Sequence, residues 1–174
     1  MLSDLTAGDD SPNEVNIVVE IPRGSNVKYE IDERTGVIFV DRFLYTATHY
    51  PFNYGFIPGT REEDGDPLDA LVVTQEAVYP MSVIRSRPIG ALLTEDEKGP
   101  DTKIVAVPVE SVDPSYSDLD SINQLPEFTK KQIEHFFRRY KEAEPNKFVK
   151  IKEWKDEKYA KELIRKATLR KSGA

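Results

Sequence analysis

Hydrophobic and polar positions alternate with a period of two from Val15 to Ile21. Val15, Ile17, Val19 and Ile21 fall on one face, and Asn16, Val18 and Glu20 on the other. Successive strand side chains point to opposite sides, so this pattern predicts a strand. Residues 28–32 alternate again, Glu33-Arg34-Thr35-Gly36 has turn composition, and an apolar run follows over 37–44. The combination predicts a hairpin with Gly36 at the position that takes a positive φ. Further strands are expected at 70–74, 83–93 and 103–109, while 148–154 reads as one more strand or as an irregular extended stretch. Helical spacing appears only late. In 126–143, Ile133, Phe136, Phe137 and Tyr140 recur at three and four, and Pro126 suits a first helical position. In 156–169, Tyr159, Ala160, Leu163, Ile164 and Ala167 form one stripe behind Asp156, a suitable N-cap. Short strands first and helices last imply a curved antiparallel sheet or barrel with helices outside it, not an alternating parallel α/β sheet. No repeat or linker interrupts the pattern, so residues 1–174 are read as a single domain.

Composition narrows the function classes. The 174 residues are 39% hydrophobic and 32% charged, which suits one globular core and is too apolar for a disordered chain. No apolar run approaches the ~20 residues of a transmembrane helix, and residues 1–12 lack the pattern of a secretion signal. A cytoplasmic protein without membrane contact is expected. There is no cysteine, which excludes disulfides, thiol nucleophiles and thiolate metal sites. Net charge is −7, from 31 acids against 24 bases, a poor balance for a nucleic-acid binder.

The acid is concentrated. Asp64, Asp66 and Asp69 lie in one stretch interrupted by Gly65 and Pro67, which forbid a regular helix or a central strand. A solvated acidic turn is the ordinary explanation of such a run. Carboxylates crowded on a fixed bend, however, repel one another unless a cation lies between them, and hard cations such as Mg²⁺ take oxygen ligands of this type. An EF-hand beginning at Asp64 needs Gly sixth and Glu twelfth, where the chain has Asp69 and Gln75. A phosphate-binding G-x-x-x-x-G-K-S/T loop is absent. A second acidic group, Glu95-Asp96-Glu97-Lys98-Gly99-Pro100-Asp101, lies between two apolar strands and reads as a polar hairpin loop turning at Gly99-Pro100. His49 and His135 lie outside both loops and have no nucleophilic partner, so they are read as structural, with His135 suited to a subunit contact.

Asp64-Gly65-Asp66-Pro67-Leu68-Asp69-Ala70 resembles the D-x-D-P-x-D signature of the soluble family I inorganic pyrophosphatases. Tyr50-Pro51-Phe52-Asn53-Tyr54-Gly55-Phe56-Ile57-Pro58 resembles the same family's Y-P-x-N-Y-G-F-I-P stretch. Glu20-Ile21-Pro22, Lys28-Tyr29-Glu30, Asp41-Arg42, the acids from Asp96 to Asp101 with Lys103, and Phe136-Phe137 before Tyr140-Lys141 follow in the family's order. The length suits the compact prokaryotic type.

The resemblance implies a mainly β (α+β) fold, a five-stranded closed β-barrel of OB type with two flanking α-helices. It implies hydrolysis of pyrophosphate to two orthophosphates by direct attack of a metal-activated water, with several Mg²⁺ ions per subunit. By the same resemblance Asp64, Asp69, Asp96 and Asp101 are metal ligands and Asp66 is the base. Lys28, Arg42, Tyr54, Tyr140 and Lys141 contact substrate, and Glu20, Glu30, Tyr50, Glu97 and Lys103 support them. The expected partners are pyrophosphate and further copies of the chain, as a hexamer, with no nucleic acid. Two other classes compete: a non-catalytic Mg²⁺- or Ca²⁺-binding module and a single-strand nucleic-acid binder on an OB barrel. The basic and tyrosine residues accompanying the acids disfavour the first, and the acidic loops disfavour the second.

Overall fold

A computed structural model describes residues 2–172. In chain order the strands and α-helices are β1 (Val15–Ile21), β2 (Val27–Ile31), β3 (Ile38–Phe43), β4 (Asn53–Phe56), β5 (Asp69–Val72), β6 (Val83–Asp96), β7 (Gly99–Pro108), α1 (Glu127–Arg139), β8 (Val149–Asp156) and α2 (Glu157–Ser172). Strands β1, β4, β5, β7 and β6 pair in that order, and β6 pairs back to β1, so five strands close a ring. All its pairings are antiparallel except β5 with β7, which is parallel. The intervening β6 reverses the chain between β5 and β7, so a purely antiparallel reading fails at this pair. The far half of β6 extends beyond the ring and pairs with β8, which settles 149–156 as a strand. The hairpin β2–β3 forms its own two-stranded sheet, with Gly36 at φ 71° in its turn as expected.

The sequence pattern does not mark strand β4. It is four residues long with a glycine inside, and glycine weakens any strand signal. Gly55 is required there, because a Cβ would lie 1.8 Å from the Val18 carbonyl oxygen of β1.

The alternation of β1 holds for Val15, Ile17 and Val19, which join Ala160, Ile164 and Ala167 in a cluster under α2. Pairing with β4 then slips: Val19 faces Gly55 and Ile21 faces Tyr54, leaving Glu20 as an extra, bulged residue. The bulge delivers Ile21 to a second cluster under α1, built on Tyr50, Tyr54, Ile133, Phe136, Phe137 and Tyr140. Val18 and Glu20, placed by the pattern on a polar face, are buried as well.

Helix α1 ends at Arg139, short of the predicted 143, and Pro126 occupies its N-cap, not its first turn. Turns follow, and Pro145 prevents the helix from continuing. Its apolar stripe is spent inside the subunit, leaving Phe128 as its exposed large apolar side chain. Asp156 caps α2 as predicted, accepting from the Tyr159 amide at 3.0 Å. No helix among the described residues is long and apolar enough to cross a membrane.

Candidate active site

The starts of β5 and β7 and the end of β6 lie together at one mouth of the ring, and the hairpin and the turn after α1 complete a cleft of about 820 Å³. All fifteen residues singled out in the sequence line it. The β1 bulge supplies Glu20; the hairpin supplies Lys28, Glu30 and Arg42; β4 supplies Tyr54, with Tyr50 just before it. The loop from 57 to 68 carries Asp64 and Asp66. Strand ends add Asp69, Asp96, Asp101 and Lys103, Glu97 lies in the turn beyond Asp96, and Tyr140 and Lys141 close α1.

The acidic loop is rigid, as its Gly and Pro required. Thr60 donates to the Ile57 carbonyl at 2.6 Å and accepts from the Leu68 amide at 3.0 Å, while the Leu68 side chain is fully buried. Within the loop Asp64 Oδ1 accepts the Asp66 amide at 3.0 Å, and Gly65 takes φ 96°. The second acidic loop differs from expectation. Asp96 pairs directly with Gly99 across the hairpin, so Glu97-Lys98 make the turn and Gly99-Pro100 begin β7. That tight turn sets Asp101 two residues into a strand.

Ammonium groups pair with the carboxylates. Lys103, almost fully buried, donates to Asp69 Oδ2 at 2.5 Å and to Asp101 Oδ1 at 2.6 Å. Tyr54 donates to the same Asp69 oxygen at 2.7 Å. Burial alone would push the Lys103 ammonium down, but Asp69, with Tyr54 and Asp101, outweighs it and holds the group well above its usual range. Lys141 donates to Asp96 Oδ2 at 2.9 Å and the Lys98 amide to Oδ1 at 2.8 Å. Burial works against the Asp96 carboxylate, yet these two contacts keep its pKa below the ordinary value. Asp66 goes the other way, raised by burial and then by Asp64 and Asp69. On the hairpin, Lys28 is paired with Glu30 and lies 3.4 Å from Asp41.

Two carboxyls are pushed far above the ordinary carboxylate range. Burial raises Glu20 to about 8 even though it accepts the Ile31 amide, and burial followed by Asp69 and Asp64 raises Glu62 to about 8. The unfolded chain releases these protons near the ordinary 4.5. Between the two values the native state binds more protons, so stability falls as pH rises from about 4.5 to about 8. In metal-free buffer, Glu20→Gln is expected to make the decline in Tm over this window shallower. An unchanged slope would show that Glu20 is not the proton holder.

Whether the cleft suits a metal rests on its donors. Among the described residues no three acids or histidines form a finished metal cage. The donors are all carboxylate oxygens, facing an open cleft, and Glu97 Oε2 is buried without a hydrogen-bond partner while its Oε1 accepts from Lys147 at 2.6 Å. An all-oxygen set with few ligands fits a hard cation that keeps most of its own water.

His49 and His135 do not line this cleft; they lie on a separate groove with Arg23 and Phe128. The sequence reading missed Glu62 and Lys147, which do line the cleft. Glu62 adjoins the recognised aspartates and was within reach, whereas Lys147 is one lysine among many.

Comparisons with known proteins agree with this geometry. The family model described as "Inorganic pyrophosphatase" matches residues 17–172. The chain is 58% identical over 169 residues to the inorganic pyrophosphatase of Sulfolobus acidocaldarius, covering 97% of this chain and 98% of that one. It is 55% identical over 163 residues to the Aquifex pyrophilus enzyme, covering 94% and 92%. The crystal structure of inorganic pyrophosphatase from Thermus thermophilus superposes with a TM-score of 0.94 at 45% identity, covering 99% of both chains. The Helicobacter pylori structure gives 0.94 at 42% identity, covering 98% of this chain and 99% of that one. With its signature loops, its closed ring and these relatives, the chain belongs to the inorganic pyrophosphatase family, of the soluble family I type.

Proposed function

We propose that this cleft hydrolyses pyrophosphate by direct attack of water in a Mg²⁺-dependent reaction. The observation that carries the reading is the convergence of five aspartates with Lys28, Arg42 and Lys141 around one open cleft. A polyanionic substrate needs cations on its oxygens, and phosphoryl transfer depends mainly on positioning and electrostatics. Asp64, Asp69, Asp96 and Asp101 would hold the metal. Held there, Mg²⁺ would supply Lewis acidity to the phosphoryl oxygens and to the attacking water. Asp66 accepts the proton of the attacking water. Arg42 and the lysines bind phosphate oxygens, and the Tyr140 hydroxyl is a further donor. Tyr54 is assigned to the same phosphate contacts, and its bond to Asp69 gives it a second task of orienting that carboxylate. Glu30 steadies Lys28, Glu20 anchors the hairpin through the Ile31 amide, and Tyr50 packs behind Tyr54 and Tyr140.

The decisive measurement is phosphate release from pyrophosphate with Mg²⁺, set beside ATP under the same conditions. Turnover of pyrophosphate, lost on chelation and poorly supported by Ca²⁺, is expected. Full turnover after exhaustive chelation would sink the metal dependence, and no release with Mg²⁺ would sink the assignment.

The same reading takes the chain as one domain over 1–174, in the cytoplasm, assembled as a hexamer. Phe128 on α1 and Phe39, Val40 and Phe43 on the hairpin are exposed apolar groups that a second copy can cover. Light scattering that finds a monomer at micromolar concentration would refute the assembly.

A further inference from the structure

Arg42 stands on the hairpin, the part of the cleft that shares no sheet hydrogen bonds with the ring. A long side chain on such an arm gains catalytic value only if something on the main body fixes it. Its Nε donates to Glu144 Oε1 at 2.9 Å, and its Nη1 donates to Asp41 Oδ2 at 2.5 Å. Among the described residues Nη2 has no protein partner, and Arg42 lines the cleft. The guanidinium is a flat fork, so fixing Nε and Nη1 also fixes the direction in which Nη2 donates.

Glu144 is a buried carboxylate, with a side chain 8% exposed, in the turn after α1. Its amide donates to the Lys141 carbonyl at 2.9 Å, and its carbonyl accepts the Lys147 amide at 3.3 Å. The same short turn sends Lys141 to Asp96 and Lys147 to Glu97. It therefore joins the β6–β7 wall of the cleft to the hairpin wall, and Glu144 is its contact with the hairpin. A carboxylate is costly to bury unless it is paired. Here the pair sets the geometry of a cation that faces the cleft.

Resting on the reading of Arg42 as a phosphate contact, we propose that Glu144 is a positioning residue for the reaction, which aims Arg42 Nη2 at the substrate phosphates. It touches no substrate and acts through Arg42.

The test is steady-state pyrophosphate kinetics with Mg²⁺ on the full chain, for Arg42→Ala, Glu144→Ala, Glu144→Gln and the double variant Arg42→Ala/Glu144→Ala, with Tm measured for each. Glu144→Ala is expected to lower kcat/KM by roughly 10–100-fold, up to the ~10² that a misplacement of about 1 Å costs. Glu144→Gln should recover most of the loss, because its amide oxygen still accepts from Nε. In the Arg42→Ala background, Glu144→Ala should leave kcat/KM unchanged. Equal losses in both backgrounds would assign Glu144 to the fold alone and overturn the inference. If Arg42→Ala itself leaves kcat/KM unchanged, the reading of Arg42 fails, and the positioning role fails with it. Should Glu144→Ala not fold, Glu144→Asp keeps the charge but withdraws it from Nε, and the same comparison of backgrounds applies.

Discussion

Asp66→Asn is expected to lower pyrophosphate turnover by roughly 10²–10⁴, the usual contribution of general base catalysis, while weakening Mg²⁺ binding far less. The substitution keeps size and shape, and the Asp66 amide can still donate to Asp64 Oδ1. What it removes is the carboxylate proposed to take the proton of the attacking water. Asp69→Asn should behave differently. Asp69 starts β5 and accepts from both Tyr54 and Lys103, so its carboxylate is fixed in place, as its proposed role of metal ligand requires. Its loss should damage metal affinity first, and excess Mg²⁺ should restore part of the activity. Titrating the activity of both variants against Mg²⁺ separates the roles. Rescue of Asp66→Asn by metal, without rescue of Asp69→Asn, would reverse the assignment.

Lys103→Met is expected to destabilise the metal-free protein by about 3 kcal/mol, the low end for removing one partner of a buried ion pair. The low end applies because the side chains of Asp69 and Asp101 keep 33% and 21% of their exposure, and so some of their water. For a chain of this size the loss corresponds to a fall in Tm of about 6–12 °C. Methionine fills much the same volume, so the effect isolates the charge. With Lys103 gone, Asp69 and Asp101 face each other without a cation between them. Added Mg²⁺ should therefore stabilise the variant more than it stabilises the unaltered chain, by binding the native state alone. Thermal unfolding with and without Mg²⁺ measures both effects. Equal stabilisation of the two proteins, or a loss under 1 kcal/mol, would show that Lys103 does not neutralise the pair.

Every site residue that the resemblance names lines one cleft, yet the resemblance leaves open how each is held. The resemblance gives Lys103 as a supporting residue, and its place between two carboxylates is visible only once β5 and β7 lie side by side. Glu144 carried no signal at all. It is one of two acids in a stretch richer in bases, and its partner Arg42 lies 102 residues earlier in the chain.

What the sequence determined by itself was local. Period-two alternation marked β1 with its observed bounds, three-and-four spacing marked both helices, and Gly65 with Pro67 required the bent, rigid acidic loop. These follow from residues within a few positions of one another, where backbone sterics and side-chain direction decide the outcome. Tertiary structure decided what depends on distant partners. The bulge at Glu20 exists because β1 must match β4 across Gly55, and it turns an apparent polar face into a buried carboxyl at the cleft. The Glu97-Lys98 turn follows from the register of β6 on β7, against the local preference for Gly99-Pro100. The parallel β5–β7 pair, the ring closure through β1 and β6, and the hairpin left outside it are choices among pairings that local pattern cannot rank, because every strand offers the same backbone donors and acceptors.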